Sequence, residues 1–229
     1  MGVTIMPKVN ESYLEDKKNQ ILDAAFAVCN RKPAYDVTMS DIVSETGMSQ
    51  GGVYKYFSNI DLVFAALIDK ANSQGNHIER IEEIMKSDYS PETVLHELFL
   101  ISEQYFSEML ISYNKILFEL GTFFAHSPER RERINKNVTT SSTFGYLTQC
   151  AFEIIIKQTK NGYFMPVIPI EDIFAFIITA FDGIIRDITL TRCYPGGTVP
   201  EDGIKFDEKK LIQCLYISTI TLLGKVPQC

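Results

Sequence analysis

The amino-acid sequence predicts an all-α protein of about nine helices. Three observations carry this prediction. Apolar residues recur at helical spacing along nearly the whole chain, and new segments repeatedly begin at Ser or Thr, twice with a Pro directly after. No segment shows the sustained alternation and hairpin turns of β-strands. With 229 residues, of which 45% are hydrophobic, the chain is long enough to bury a sizeable core.

The first predicted helix covers residues 14–32. Its apolar residues lie on one helical face, and Pro33 stops it because proline cannot continue a helix. The residues of this face are Ile21, Leu22, Ala25, Phe26 and Cys29.

Two short helices are predicted next, over 38–45 and 49–57. Thr38 and Asp41 have the spacing of a capping box at the start of the first, and Ser49 is an N-cap for the second. A four-residue turn with Gly47 joins them. Two short helices joined in this way form a helix-turn-helix, whose second helix lies in the major groove of DNA.

Packing alone does not explain the composition of the second short helix. Gly51 and Gly52 each cost roughly 1 kcal/mol relative to Ala in a helix, but they leave space where a helix approaches DNA closely. Hydroxyl groups and one lysine beside them are suited to phosphates and bases. The predicted DNA-binding residues are Thr38, Ser49, Gln50, Gly51, Gly52, Tyr54, Lys55, Tyr56, Ser58 and Asn59.

Six longer predicted helices complete the fold. The first, over 58–86 and capped by Ser58, links the DNA-binding segment to the rest of the chain. The others cover 91–112, 114–126, 127–161, 170–193 and 207–225. We therefore predict a DNA-binding domain over 1–60 and a larger helical domain over 61–229.

The segment VTMSDIVSETGMSQGGVYKYFSNIDLVFAALID, with the helix before it, resembles the helix-turn-helix of the TetR family of bacterial transcriptional regulators. The matching positions are Thr38, Asp41, Ile42, Gly47, Met48, Ser49, Gly51, Tyr54, Tyr56, Phe57, Ser58 and Leu62. One departure is Ile60, where the family often has a lysine. The resemblance implies a homodimer that binds a palindromic double-stranded DNA operator and responds to a small-molecule effector.

Aromatic side chains are frequent in the larger predicted domain. Most belong to a core, but ligand pockets use the same residue types together with a few polar groups. Glu103 and Glu119 lie in aromatic stretches, where they either balance a cationic ligand or simply face solvent. With the resemblance, the predicted ligand-binding residues are Glu103, Phe106, Tyr113, Phe118, Glu119, Phe123, Phe144 and Phe152.

Wide apolar stripes mark the last two long helices. Either stripe can belong to an internal core, whereas the resemblance implies that both helices pack against their copies in a partner subunit. The predicted dimerisation residues are Phe174, Ile177, Phe181, Ile185, Leu215 and Ile220.

Composition and motifs exclude several other classes of protein. A net charge of −7 argues against a nonspecific nucleic-acid binder. The sequence shows no apolar run of membrane-spanning length and no secretory signal, and its five cysteines are scattered, so we expect a cytoplasmic protein without membrane contact. Without a nucleophile–base, phosphate-loop or metal-ligand motif, we expect no enzyme, no cofactor and no metal.

The sequence thus predicts a sequence-specific transcriptional regulator, a repressor that a small and mostly apolar ligand releases from its operator. Two alternatives stay open. One is a ligand-responsive activator with the same architecture, and the other is an all-helical small-molecule-binding protein or enzyme that does not bind DNA. A salt-sensitive, sequence-selective interaction with DNA distinguishes the last alternative from the others.

Overall fold

The fold is described from a computed structural model that covers residues 11–74, 77–111, 113–194 and 206–226. These residues form eleven α-helices and one 3-10 turn, Ala34–Asp36, with no strand among them, which confirms the all-α prediction. In chain order the helices are α1 (Glu11–Arg31), α2 (Met39–Thr46), α3 (Gln50–Tyr54), α4 (Ile60–Asn72), α5 (His77–Met85), α6 (Pro91–Ile111), α7 (Asn114–His126), α8 (Pro128–Asn135), α9 (Thr143–Lys160), α10 (Ile170–Arg192) and α11 (Glu208–Leu222).

Two predicted helices are each divided in the structure, which accounts for the difference from nine. The linking helix predicted over 58–86 is wrong as one element, because α4 ends at Asn72 and α5 begins at His77. Between them the sequence is Ser-Gln-Gly-Asn, in which serine, glycine and asparagine are residue types that favour turns over helix. The apolar spacing continues on both sides of this tetrapeptide, and that continuity led to the prediction of one helix.

The helix predicted over 127–161 is also divided, into α8 and α9. Side chains compete with the helical backbone here, since Asp69 accepts hydrogen bonds from the Thr139 backbone N–H at 2.8 Å and from its hydroxyl at 3.0 Å. Ser142 then starts α9 as an N-cap, because its hydroxyl accepts the Gly145 N–H at 3.2 Å.

The chain forms two compact units. Unit 1 comprises the residues up to Lys70 together with 119–139, and unit 2 comprises 71–118 together with the residues from Thr140 onward. Unit 1 therefore contains more of the chain than the DNA-binding domain predicted over 1–60. Its core joins α1 and α2 through residues such as Ile21, Ala25 and Ile42, each fully buried.

Unit 2 is built around α6. This helix packs against α5, α9 and α11, and α10 packs against α11. The segment before α10 is held to the end of α11 by two backbone bonds, in which the N–H groups of Met165 and Val167 donate to Leu223 and Leu222 at 3.0 and 2.9 Å. None of the helices within the described residues is long and apolar enough to cross a membrane.

Candidate nucleic-acid interface

The start of α2 is a complete capping box. The Thr38 hydroxyl accepts the Asp41 N–H at 3.3 Å, and the Asp41 carboxylate accepts the Thr38 N–H at 2.8 Å. Lys32 also contacts this carboxylate at 2.8 Å, and the hydrogen bonds from Lys32 and Thr38 lower the pKa of Asp41 to about 2. The predicted cap is confirmed. The Thr38 side chain and backbone N–H both form hydrogen bonds that fix the start of α2.

The turn between α2 and α3 has the conformation that the sequence predicts. Gly47 ends α2 with φ +65°, a left-handed conformation that glycine adopts without steric cost. Ser49 then caps α3, because its hydroxyl accepts the Gly52 N–H at 3.2 Å. The two helices and their turn are therefore fixed locally, and the fully buried Val53 anchors α3 to unit 1.

The outer side of α3 presents most of the predicted DNA-binding residues together. Tyr56 and Gly52 are half-buried, and Lys55 lies 5.9 Å from the centre of the Tyr56 ring. The exposed members of the set are Ser49, Gln50, Gly51, Tyr54 and Lys55. Hydroxyl, amide, amine and backbone groups thus share one solvent-facing surface of a short helix.

The two adjacent glycines of α3 have different surroundings. A Cβ atom at Gly52 would lie 3.2 Å from the Ser49 hydroxyl oxygen and 3.5 Å from Met48 Cε, so glycine at this position accommodates the N-cap. A Cβ atom at Gly51 would meet no heavy atom within 4 Å, and its φ is not in the left-handed region. The protein's own packing therefore gives no reason for glycine at position 51.

Ser58 and Asn59 lie at the start of α4, where the sequence predicted Ser58 as the cap. Instead, the Asn59 side-chain oxygen accepts the Leu62 N–H at 3.1 Å, whereas Ser58 lies one residue earlier. Both residues are exposed. Because either residue type caps helices well, the sequence pattern did not distinguish them.

The predicted ligand-binding residues do not form one group. Phe106 and Phe144 pack together in unit 2 with ring centres 5.0 Å apart, and Phe181 lies 5.7 and 5.3 Å from them. Phe152 stacks on Phe174 at 3.9 Å. Tyr113 is buried and Phe118 half-buried in the same unit, whereas Glu119 and Phe123 belong to unit 1.

Glu103 lines a cavity of about 240 Å³ between α6 and α11. Phe99, Tyr216 and Ile212 supply apolar wall, and Lys209 lies 3.5 Å from the Glu103 carboxylate at the rim. A second cavity of about 350 Å³ shares His96 and Tyr216 with the first. The cavity beside Glu103 has the mixture of apolar wall and few charged groups that is common in small-molecule sites, whereas the second is lined largely by polar residues, among them Ser90, Glu92 and Thr93.

Most of the predicted dimerisation residues belong to the core of unit 2. Ile177, Phe181 and Leu215 are each 4% exposed and Ile220 is 1% exposed, because α6, α10 and α11 pack on them. Phe174 and Ile185 are half-buried. A different apolar set faces solvent on α10 and α11: Phe176, Ile178, Leu190 and Ile217. Ile178 and Ile217 belong to the apolar stripes seen in the sequence, but none of the four is among the predicted dimerisation residues. The apolar spacing covers both faces of each helix, so it does not show which face the core uses.

Within unit 1, the paired short helices, the left-handed Gly47 turn and the exposed polar face of α3 define a helix-turn-helix DNA-binding module. Residues 21–67 match the family model of bacterial regulatory proteins of the tetR family. Residues 21–67 accordingly form a tetR-type helix-turn-helix segment, and the resemblance drawn from the sequence is confirmed for that segment.

Relatives extend the similarity along most of the chain. It is 28% identical over 182 residues to the uncharacterized HTH-type transcriptional regulator YfiR of Bacillus subtilis, covering 79% of this chain and 84% of that protein. It is also 28% identical to the fatty acid metabolism regulator protein of Bacillus subtilis, over 52% of this chain and 59% of that protein.

Solved structures share the fold. The fatty acid degradation regulator FadR of Bacillus halodurans aligns with a TM-score of 0.61 at 20% identity, covering 89% of this chain and 94% of its own. A TetR transcription regulator of Haloarcula marismortui aligns with a TM-score of 0.57 at 17% identity, covering 93% and 100% of the two chains. At these identities the similarity concerns the helical architecture.

Proposed function

We propose that this regulator binds a palindromic operator as a homodimer and represses transcription until a small, mostly apolar ligand releases it. The observation that carries the DNA-binding part is the solvent-facing side of α3. Five predicted contact residues are exposed there, and no atom of the described residues lies within 4 Å of a Cβ built at Gly51. A recognition helix needs such a surface, because its first residues approach the base edges of the major groove.

The aromatic interior of unit 2 supports an apolar ligand. Phe106, Phe144 and Phe181 form a cluster of rings, and the two cavities between α6 and α11 adjoin Tyr216. Glu103 lines one cavity beside Lys209, so a ligand with a positively charged group would have to replace that lysine at the carboxylate. Since two similar proteins regulate fatty acid metabolism or degradation, fatty acyl compounds are the other class to test.

A dimer interface is best supplied by the exposed faces of α10 and α11. Phe176, Ile178, Leu190 and Ile217 are each between 38% and 44% exposed, which is unusual for four large apolar side chains on two neighbouring helices. Two copies related by a two-fold axis would bury these residues against each other and present two α3 helices to one palindrome. A regulator that acts on the chromosome in this way works in the cytoplasm and needs no catalytic group.

The test of DNA binding is selection of duplexes from a random pool by the full-length protein, followed by affinity measurements at two stated salt concentrations. We expect an enriched palindrome, and weaker binding at higher salt. A shuffled sequence of equal length serves as the control duplex. If no sequence is enriched over the shuffled control, the protein is not a sequence-specific regulator.

Ligand release is tested with the selected duplex and three probes: a long-chain fatty acid, its coenzyme A thioester and a lipophilic aromatic cation. A hundredfold loss of DNA affinity corresponds to about 2.7 kcal/mol of coupling between the two sites. Coupling is reciprocal, so saturating operator should weaken binding of the active probe by the same factor. Equal probe affinity with and without operator would contradict the proposed release mechanism. Reporter transcription then distinguishes a repressor from an activator.

A further inference from the structure

A buried hydrogen bond joins α7 to the turn that leads into the helix-turn-helix. The Glu119 carboxylate oxygen Oε2 accepts the backbone N–H of Ala34 at 2.7 Å. Glu119 is 5% exposed and Ala34 is fully buried, and both belong to unit 1. A carboxylate this deeply buried is tolerated because polar groups satisfy it, and its bond to an N–H group is charge-assisted and strong.

Ala34 lies just before the helix-turn-helix. Ala34 opens the 3-10 turn that joins α1 to α2, and the Val37 N–H donates back to the Ala34 carbonyl at 3.2 Å. Thr38, the N-cap of α2, follows directly. The first N–H groups of a helical turn have no hydrogen-bond acceptor within the turn. The Glu119 carboxylate on α7 is the acceptor for the Ala34 N–H.

Two further polar contacts hold the same segment, 119–139, to α4 inside unit 1. The Arg130 guanidinium donates to the Asp61 carboxylate at 2.6 Å and lies 4.9 Å from the centre of the Phe123 ring. Asp69 accepts the hydrogen bonds from Thr139 described above. The segment therefore contacts the chain on both sides of the helix-turn-helix, before α2 and after α3.

We propose that Glu119 is a positioning residue for DNA binding: its buried carboxylate fixes the 3-10 turn and thereby the orientation of α2 and α3. The proposal rests on the function proposed above.

The experiment compares Glu119→Ala, Glu119→Gln and the control Glu132→Gln in the full-length protein. Glu132 lies on α8 in the same segment, but its side chain is 69% exposed and pairs with Lys136 at 2.9 Å. Hydrogen exchange followed by mass spectrometry is measured without DNA, so the result does not depend on whether an operator is known. Affinity for the selected duplex is measured separately.

We expect Glu119→Ala to accelerate exchange about tenfold in peptides covering residues 34–54, with α10 and α11 unchanged. Glu119→Gln keeps an accepting oxygen and should restore most of the protection and of the DNA affinity, while Glu132→Gln should match the wild type. Unchanged exchange in α2 and α3, or equal acceleration in every helix, would overturn a positioning role. If Glu119→Ala does not fold, Glu119→Gln decides: the neutral amide weakens the bond, so a small loss of protection confined to residues 34–54 is expected, and no loss there would overturn the proposal. A wild type that fails to bind DNA contradicts the proposed function and leaves the exchange result interpretable.

Discussion

Substitution of Gly51 by Ala should raise stability and lower DNA affinity at the same time. A Cβ atom at this position meets no atom of the described part of the chain within 4 Å, and the backbone is in an ordinary helical conformation. Alanine therefore gains helix propensity without strain, by up to about 1 kcal/mol. For a protein of this size, that gain raises Tm by roughly 2–4 °C.

The same methyl group, and more so the side chain of Gly51→Leu, occupies the space through which α3 approaches the major groove. We expect Gly51→Ala to weaken binding to the selected duplex about tenfold, which is about 1.4 kcal/mol, and Gly51→Leu to abolish specific binding. Binding is measured by fluorescence anisotropy at fixed salt, and stability by thermal unfolding of the same samples.

Gly121→Ala is the matched control. Gly121 is exposed on α7, and a Cβ atom there also meets no heavy atom within 4 Å. It should gain similar stability without any change in DNA affinity. Gly51 variants that are folded, more stable and undiminished in DNA binding would show that α3 does not enter the groove.

Three further substitutions test the stability and assembly of the chain. Gly224→Ala should lower the free energy of unfolding, measured by urea denaturation, by at least about 2 kcal/mol, because φ is +77° and a Cβ atom would lie 2.2 Å from the Met165 carbonyl oxygen. Asp41→Ala should cost about 1 kcal/mol at neutral pH, since it removes half of a capping box. The pKa of Asp41 is lowered to about 2, so the stabilisation by its carboxylate is complete above the unfolded pKa near 4 and disappears as pH falls through about 2. Thermal unfolding of the wild type and of Asp41→Ala across this pH range measures the stabilisation. A difference in stability between the two proteins that does not change with pH would refute the assignment. Ile178→Glu should yield folded monomers in sedimentation, whereas Phe181→Glu should unfold unit 2; a dimeric Ile178→Glu variant would place the interface elsewhere.

Local chemistry decided which features could be predicted from the sequence. The Thr38–Asp41 capping box, the Ser49 cap and the Gly47 turn each depend on residues a few positions apart, and all three are present. Helical spacing likewise located most helices, but it continued across Ser73 and Gln74 and so concealed the end of α4.

Features that depend on packing between distant segments were not predictable. The spacing on α10 marks apolar residues on more than one face, and only the packing of α6 and α11 shows that Phe181 is inside while Ile178 is outside. Glu119 was expected either to face a ligand or to face solvent. Its actual partner, the Ala34 N–H, lies 85 positions away in the sequence, and a backbone N–H group carries no sequence signal.

The ion pairs beside the helix-turn-helix determine how DNA binding depends on salt. Arg31 pairs with Glu45, and Lys32 pairs with Asp41 at 2.8 Å, so both cations at the end of α1 are already neutralised by carboxylates of α2. Each phosphate that a free cation neutralises releases condensed counterions and contributes about −0.9 to the slope of log K against log salt. A regulator with a net charge of −7 and internally compensated cations releases few of them. We therefore expect its DNA affinity to fall with salt, but with a shallower slope than that of more basic proteins, because hydroxyl, amide and backbone groups are the main contacts that we propose for α3.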